Sequence, residues 1–173
     1  MSQDHSENEL KIQIISVKKS DKSVLRNLLE YYCYDSSEYL HWDVNDHGKF
    51  EYPNLDTYWI EPDRYPYFIK VDGHYAGFVL INKVFKILKE SNGHAIAEFF
   101  ILRKYRRNKI GSIAANAVFK MYPGWWEISP IMQNKASFDF WLKVAKENAV
   151  EKYYLEKSEE NGLQKQVIIF NNS

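Results

Sequence analysis

Apolar residues recur along the 173-residue chain with two periodicities, one of two residues and one of three to four residues. The first is typical of strands and the second of helices. Strands are predicted at 10–17, 66–71, 75–81, 94–102, 125–128, 150–155 and 166–170. Helices are predicted after Asp21, which can cap the first one, and at 110–122 and 135–147.

Two features of this pattern indicate how the strands are arranged. Asp72-Gly73 between two apolar runs is a strong hairpin signal, so the strands on either side of it are expected to pair. Segment 94–102 is almost entirely apolar, which favours a central position in the sheet. Strands and helices in this order predict a mixed α/β fold with a sheet of six or seven strands.

Length and charge narrow the range of protein classes. We interpret the polar residues 1–9 as a disordered tail and residues 10–173 as a single domain. Lys plus Arg and Asp plus Glu are equal at 23 each, so no global charge favours nucleic acid or a membrane surface as a partner. No run reaches the roughly 20 apolar residues of a membrane span.

The single cysteine, Cys33, excludes an internal disulfide and fits a reducing compartment. The first ten residues also lack the apolar core of a signal peptide, so a cytoplasmic location is expected. Cys33 lies in the aromatic stretch 31–34 and is predicted to be a buried, inert thiol. We assign no metal site, and a monomer and a homodimer both remain open.

Residues 35–63 differ in composition from the rest of the chain, with eight acidic residues against one lysine, Lys49. Six aromatic residues are interspersed among them, which disordered segments lack, so irregular helix and loop are predicted. Carboxylates beside aromatic faces favour a cationic amine, and a solvated acidic surface is an equally valid interpretation.

The segment with the clearest chemistry is 99–112, where a buried strand leads through a basic loop directly into a helix. The first turn of a helix has unpaired N–H groups and a positive dipole end, which together bind anions such as phosphates. Arg106, Arg107 and Lys109 add charge, Ser112 adds a hydroxyl, and Gly111 allows a close approach of the backbone. On the loop alone, a solvated basic turn is the competing interpretation.

This segment resembles motif A of the GNAT superfamily of N-acetyltransferases, in which a strand ending in V-x-P-x-Y-R leads into R/Q-x-x-G-x-G/A. The corresponding loop here is 106–111, with Lys109 in place of the first glycine. Segment 134–141 is similar to a second family pattern, N-x-x-A-x-x-F-Y, with Ser137 for the alanine and Trp141 for the tyrosine. The resemblance covers about 12–170.

The resemblance implies a GNAT-like, mostly antiparallel sheet with helices on both faces, and acetyl-CoA as the acyl donor. It implies that the backbone of Ile101 and Arg103 bonds the pantetheine amides, and that the N–H groups of 107–112 hold the pyrophosphate. The implied cofactor-binding residues are Ile101, Leu102, Arg103, Arg106, Arg107, Asn108, Lys109, Ile110, Gly111, Ser112, Asn134, Phe140 and Trp141.

The resemblance also implies direct attack of a primary amine on the thioester. A base must remove a proton from the amine, and Glu98 is the nearest acid on the motif strand, where a merely hydrogen-bonded glutamate is an equal alternative. Trp141 cannot protonate the leaving thiolate as the family tyrosine does, so Tyr153, Tyr154 or water remain as sources.

The acidic stretch 35–63 falls where the family places its acceptor-binding insert. We therefore expect a small-molecule amine, such as a polyamine, an aminoglycoside or a lysine-like amine, bound by Trp42, Asp43, Asp46 and Asp56. A non-catalytic acyl-CoA-binding module is the main alternative, since the motif tyrosine is absent. A nucleic-acid binder needs a wider basic face than the loop offers.

Overall fold

The computed structural model describes residues 10–89, 92–160 and 163–173, and within them seven strands form one sheet. The strands are β1 (Ile12–Ser16), β2 (Arg64–Val71), β3 (His74–Asn82), β4 (His94–Ile101), β5 (Trp125–Ile128), β6 (Tyr153–Glu160) and β7 (Leu163–Asn171). The α-helices are α1 (Lys22–Leu40), α2 (Thr57–Ile60), α3 (Ile110–Met121) and α4 (Lys135–Asn148). Short 3₁₀ helices at Lys19–Asp21 and Arg103–Tyr105 precede α1 and follow β4.

The sheet has the strand order β1-β2-β3-β4-β5-β7-β6. Its neighbours are antiparallel except for β4 and β5, which are parallel. A parallel pair needs a crossover, and α3 supplies it between these two strands. The predicted mixed α/β class with a mostly antiparallel sheet is confirmed, and β4 is central, as its apolar sequence indicated.

Helices cover both faces of the sheet, as predicted. On one face, Leu25 and Leu29 of α1 are fully buried in a cluster that includes Phe78 of β3 and Phe100 of β4. On the other face, α3 and α4 contribute to a larger cluster built around the fully buried Trp126 of β5. Because alternate residues of a strand point to opposite faces, β3 and β4 supply apolar side chains to both clusters.

The predicted hairpin joins β2 to β3, and its turn residues Asp72 and Gly73 have φ values of 49° and 80°. Two consecutive positive φ values are the geometry that favours Asp-Gly. Asp21 precedes α1 at the predicted cap position, although its side chain makes no capping hydrogen bond. Helix α1 continues into the acidic stretch as far as Leu40, where His41 ends it with a φ of 54°.

The closing strands differ from their predicted bounds. The prediction that a strand begins at Val150 was wrong, because β6 begins at Tyr153, and the Val150 amide instead donates to the Asn171 carbonyl at 2.9 Å. The predicted tail, residues 1–9, lies outside the described residues, and so does the polar turn around Asn161-Gly162 that the sequence predicts between the last two strands. In the ranges that the structure covers, no helix combines the length and the apolar character needed to cross a bilayer.

Candidate active site

The strands β4 and β5 pair over a short distance and then separate. Their ladder joins only 94–96 to 126–128, and β4 continues to Ile101 with no partner on that side. A bulge in the β3–β4 ladder, where Leu80 faces Glu98 but Ile81 faces Ile96, lies where the two strands part. A cleft of about 730 Å³, here called the main cleft, opens between 97–101 and 128–131.

The free edge of β4 presents backbone groups to the main cleft. The amide of Leu102 donates to the carbonyl of Ala76 at 2.8 Å, which points Leu102 towards β3. In an antiparallel pair, the backbone N–H and C=O groups of successive residues point alternately towards the partner strand and away from it. Those of Ile101 and Phe99 therefore point away from β3, into the main cleft. The strands β3 and β4 approach closely here, because a Cβ on Gly77 would lie 1.9 Å from the Phe100 carbonyl oxygen.

The loop from β4 to α3 closes one end of the main cleft. Arg107 and Lys109 have positive φ values of 65° and 59°, and α3 begins directly after Lys109. The Ile113 amide is the first helical donor, bonding the Lys109 carbonyl at 3.0 Å, so the amides of 110–112 precede it and have no acceptor within the helix. Lys109 provides no side-chain cap. These amides and the helix dipole form a positive end at the cleft.

An acidic side chain of α1 holds two arginines of this loop in place. Asp35 accepts hydrogen bonds from the guanidinium groups of Arg103, at 2.9 Å, and Arg106. Arg106 Nε also donates to the Ile101 carbonyl at 2.7 Å. The ion pair with Asp35 raises the pKa of Arg103, which stays charged. The loop is therefore fastened both to α1 and to the end of β4.

Helix α4 forms the opposite wall. Asn134 caps it, because its side-chain oxygen accepts from the Ser137 amide at 3.0 Å. Phe140 packs over Gly111, where a Cβ would lie 3.4 Å from the ring. Trp141 is buried and contacts Phe99 edge-on, with ring centroids 5.0 Å apart. Segment 134–141, the second sequence pattern, therefore borders the same cleft as the loop 106–111 of the first pattern.

Ten of the thirteen residues that the resemblance assigns to the cofactor border the main cleft; they are Ile101, Arg103, Arg106, Arg107, Lys109, Gly111, Ser112, Asn134, Phe140 and Trp141. Leu102, Asn108 and Ile110 do not border it. Ile110 is buried in a core cluster against which Ile12 and Ile14 of β1 pack. Leu102 packs against the core cluster that includes Leu25 and Leu29 of α1. Asn108 is exposed.

Glu98 borders the main cleft and lies on the α1 side of the sheet together with Phe100, because alternate residues of β4 point to the same face. Tyr32 of α1 donates a hydrogen bond to Glu98 Oε2, and Tyr52 donates one of 2.9 Å to Oε1. Both oxygens of the carboxylate are therefore held by phenols that come from distant parts of the chain.

Burial raises the pKa of the Glu98 carboxyl, and the two phenol hydrogen bonds oppose that rise without cancelling it. The pKa values of Tyr32 and Tyr52 are also raised, first by burial and then by the Glu98 charge. Both phenols therefore remain protonated donors at neutral pH. A carboxyl whose pKa lies above its usual range is suited to proton transfer near neutrality.

Glu98 also borders a second cavity of about 530 Å³, here called the side cavity. Its other lining residues come from α1 and the loop that follows it, and they are Cys33, His41, Trp42, Asp43, Phe50, Tyr52 and Pro53. Cys33 is buried, as predicted, and its pKa is raised to about 12, mainly by that burial. Its thiol is consequently a poor nucleophile.

The predicted acceptor residues are divided by the fold. Trp42 and Asp43 border the side cavity. Asp46 lies in an exposed turn, and Asp56 forms an ion pair with Lys22; neither borders either cavity. Tyr153 pairs with Phe170 in the β6–β7 ladder and also lies away from both cavities.

Sequence reasoning missed three residues of the site. Tyr32 and Tyr52 reach Glu98 from 66 and 46 residues away, and no local signal marks them. Ser129, which follows β5, borders the main cleft and has a buried hydroxyl with no hydrogen-bond partner among the described residues. Within those residues, no group of three His, Cys, Asp or Glu side chains is placed to hold a metal ion.

Known structures share this architecture at low sequence identity. An acetyltransferase from Thermus thermophilus superposes with a TM-score of 0.70 at 10% identity, over 94% of this chain and 97% of that one. Aminoglycoside acetyltransferase AAC(6')-Ib in complex with coenzyme A gives 0.67 at 9% identity, over 93% and 95%. PaiA N-acetyltransferase from Thermoplasma acidophilum, also with coenzyme A, gives 0.61 at 15%, over 93% and 99%. These likenesses show the fold.

A search of curated protein sequences gives no match. A sequence model of a family, described as acetyltransferase (GNAT) family, matches residues 28–146. This range contains the main cleft's loop, the free edge of β4, and Glu98 with both of its phenol partners. The chain belongs to the GNAT family of acetyltransferases, which confirms the resemblance drawn from the two sequence patterns.

Proposed function

We propose that the protein transfers the acetyl group of acetyl-CoA to a primary amine. One observation carries the proposal: Glu98 borders both the main cleft, which also contains the loop before α3 and the first turn of that helix, and the side cavity. Donor and acceptor can therefore meet at a carboxyl with a raised pKa. Membership of the GNAT family and the coenzyme A complexes of two structural neighbours support this reading.

The donor is expected to lie along the main cleft. The amides of 107–112 and the positive end of α3 would hold the pyrophosphate. The backbone groups of Ile101 and Arg103 would bond the pantetheine amides in the gap between β4 and β5. Asn134, Phe140 and Trp141 would form the wall against which the arm packs. This orientation brings the thioester towards Glu98.

The chemistry is direct transfer. The amine nitrogen attacks the thioester carbonyl carbon, the C–S bond breaks, and coenzyme A leaves as a thiolate with the electron pair. Glu98 takes the proton that the amine must lose, and positioning of the reactive thioester supplies much of the rate. Because Tyr153 and Tyr154 border neither cavity, we propose that water protonates the thiolate.

A cytoplasmic location and a monomeric or homodimeric state remain predictions from the sequence.

The test is a thiol-release assay with acetyl-CoA across a panel of primary amines, combined with calorimetry of acetyl-CoA binding. Turnover that depends on both the amine and Glu98 supports the proposal. Tight acetyl-CoA binding with no thiol release for any amine would instead favour a non-catalytic acyl-CoA-binding module. No affinity for coenzyme A in any form would exclude both functions.

A further inference from the structure

The walls of the side cavity are mostly apolar and aromatic. Trp42, Phe50 and Tyr52 place three rings around it, and Pro53 and the buried Cys33 add further apolar surface. Trp42 is 42% exposed as a residue, although it also lines this cavity. Sites for small molecules are typically lined in this way, with a few polar groups that fix orientation.

The loop that forms these walls is held in one shape. The amides of Phe50 and Glu51 donate to the two carboxylate oxygens of Glu30 on α1, at 2.9 Å and 3.1 Å. The side-chain oxygen of Asn45 accepts from the amides of His47 and Lys49, at 2.9 Å and 3.1 Å. A cavity that is already formed costs little conformational entropy when a ligand binds.

Most of the carboxylates in the acidic stretch 35–63 lie outside the side cavity. Of the eight acidic residues in 35–63, Asp43 alone borders the side cavity, where Glu98 is the second carboxyl. Four others pair with basic side chains outside it, namely Asp35 with Arg103 and Arg106, Asp56 with Lys22, Glu61 with Arg64, and Asp63 with Lys83. Among the described residues, the walls of the side cavity therefore offer a polycation only the carboxyls of Asp43 and Glu98.

We infer that the acceptor is a primary monoamine on a flat, ring-sized apolar body, an arylalkylamine, rather than a polyamine or an aminoglycoside. The ring would lie among Trp42, Phe50 and Tyr52, and the amine would reach Glu98, which borders both cavities. This inference rests on the proposed function and narrows its acceptor. It replaces Asp46 and Asp56 by Phe50 and Tyr52 as acceptor-contacting residues.

The first part of the test compares acceptors. Thiol release from acetyl-CoA is measured with 2-phenylethylamine, spermidine and kanamycin at the same pH and ionic strength. We expect kcat/KM for 2-phenylethylamine to exceed both others by roughly tenfold or more, because each ring contact adds to the difference. Equal or better turnover of spermidine or kanamycin overturns the inference and leaves the proposed function intact.

The second part tests the walls. Trp42→Ala and Phe50→Ala are each expected to raise KM for 2-phenylethylamine by roughly tenfold, with KM for acetyl-CoA unchanged, and Trp42→Phe should retain most of the affinity. Tyr34→Ala is the matched control, because Tyr34 is an exposed aromatic residue of α1 that borders neither cavity.

The two proposals fail in different ways. If both wall variants leave KM for the amine at the value of the Tyr34→Ala control, the ring does not bind in the side cavity and the inference is wrong. If no amine is turned over while acetyl-CoA binds, the proposed function itself fails. Circular dichroism and acetyl-CoA affinity of each variant show that a raised KM does not reflect misfolding.

Discussion

The phenol hydroxyl of Tyr52 lies 2.9 Å from Oε1 of Glu98 and donates a hydrogen bond to it. Tyr32 donates to the other oxygen, so the loop after α1, α1 itself and β4 all meet at one carboxyl. Buried carboxyls in low dielectric need such partners, because an unpaired charge there is costly. The same contact therefore stabilises the fold and orients the group that we propose as the base.

Replacing Glu98 by Gln should remove the proton acceptor and keep the shape. We expect kcat to fall by roughly 100-fold or more, which is the usual contribution of a general base. Acetyl-CoA affinity, measured by calorimetry, should stay within about twofold of the original, since the anion site of α3 is untouched. Unchanged kcat would mean that Glu98 is only a hydrogen-bonded core residue.

Replacing Tyr52 by Phe should change the pH dependence of the reaction. The carboxylate must be ionised to accept a proton, so kcat rises with pH through the raised pKa of Glu98. Tyr52 donates to the charged form, and its loss raises that pKa further, which shifts the acid limb of the profile to higher pH. On that limb kcat should fall about tenfold, the size of one hydrogen bond to a charged group.

Two comparisons make the Tyr52 experiment decisive. Tyr32→Phe should move the acid limb in the same direction, because Tyr32 bonds the other oxygen of Glu98. Tyr34→Phe should not move it, since Tyr34 is exposed on α1 and borders neither cavity. A limb that stays in place or moves to lower pH in Tyr52→Phe would show that the titrating group is not Glu98.

Glu98→Gln should also make the stability of the fold less dependent on pH. The folded-state pKa of Glu98 is raised, so its contribution to stability is fully present below the unfolded-state pKa and is lost as pH rises through the folded-state pKa. Glutamine does not ionise and avoids this loss. Denaturant unfolding at pH 4 and pH 8 should show that the difference in unfolding free energy between the variant and the original protein moves in favour of the variant as pH rises.

Local signals predicted the elements that we propose position the donor. Asp72-Gly73 indicates the β2–β3 hairpin, because few residues tolerate the positive φ values of this turn. The apolar run of β4, followed by basic residues and Ile110, indicates the junction between strand and helix. Helical spacing likewise placed α3 and α4. These features depend on neighbours in the chain, and a single sequence contains that information.

The acceptor side could not be predicted in the same way. Tyr32, Tyr52 and Glu98 converge only because α1 and its following loop pack on β4, a relation between residues 46 and 66 positions apart. Composition indicated Asp56 as an acceptor residue, but its ion pair with Lys22 depends on tertiary packing too. Charge along a sequence does not show which carboxylates face a cavity.

Lys109 offers a test of the motif loop, because it occupies the position of the first family glycine and has a φ of 59°. A left-handed conformation costs a residue with a Cβ roughly 1 kcal/mol, and glycine avoids that strain. Lys109→Gly should therefore raise the free energy of unfolding by no more than about 0.5 kcal/mol, after the greater flexibility of the unfolded glycine is subtracted. Acetyl-CoA affinity should fall severalfold and lose part of its salt dependence, since a charge beside the pyrophosphate disappears. Lys109→Asn, which tolerates the same backbone but has no charge, separates the two effects. If both variants bind acetyl-CoA as tightly as the original protein, the lysine charge does not contact the cofactor.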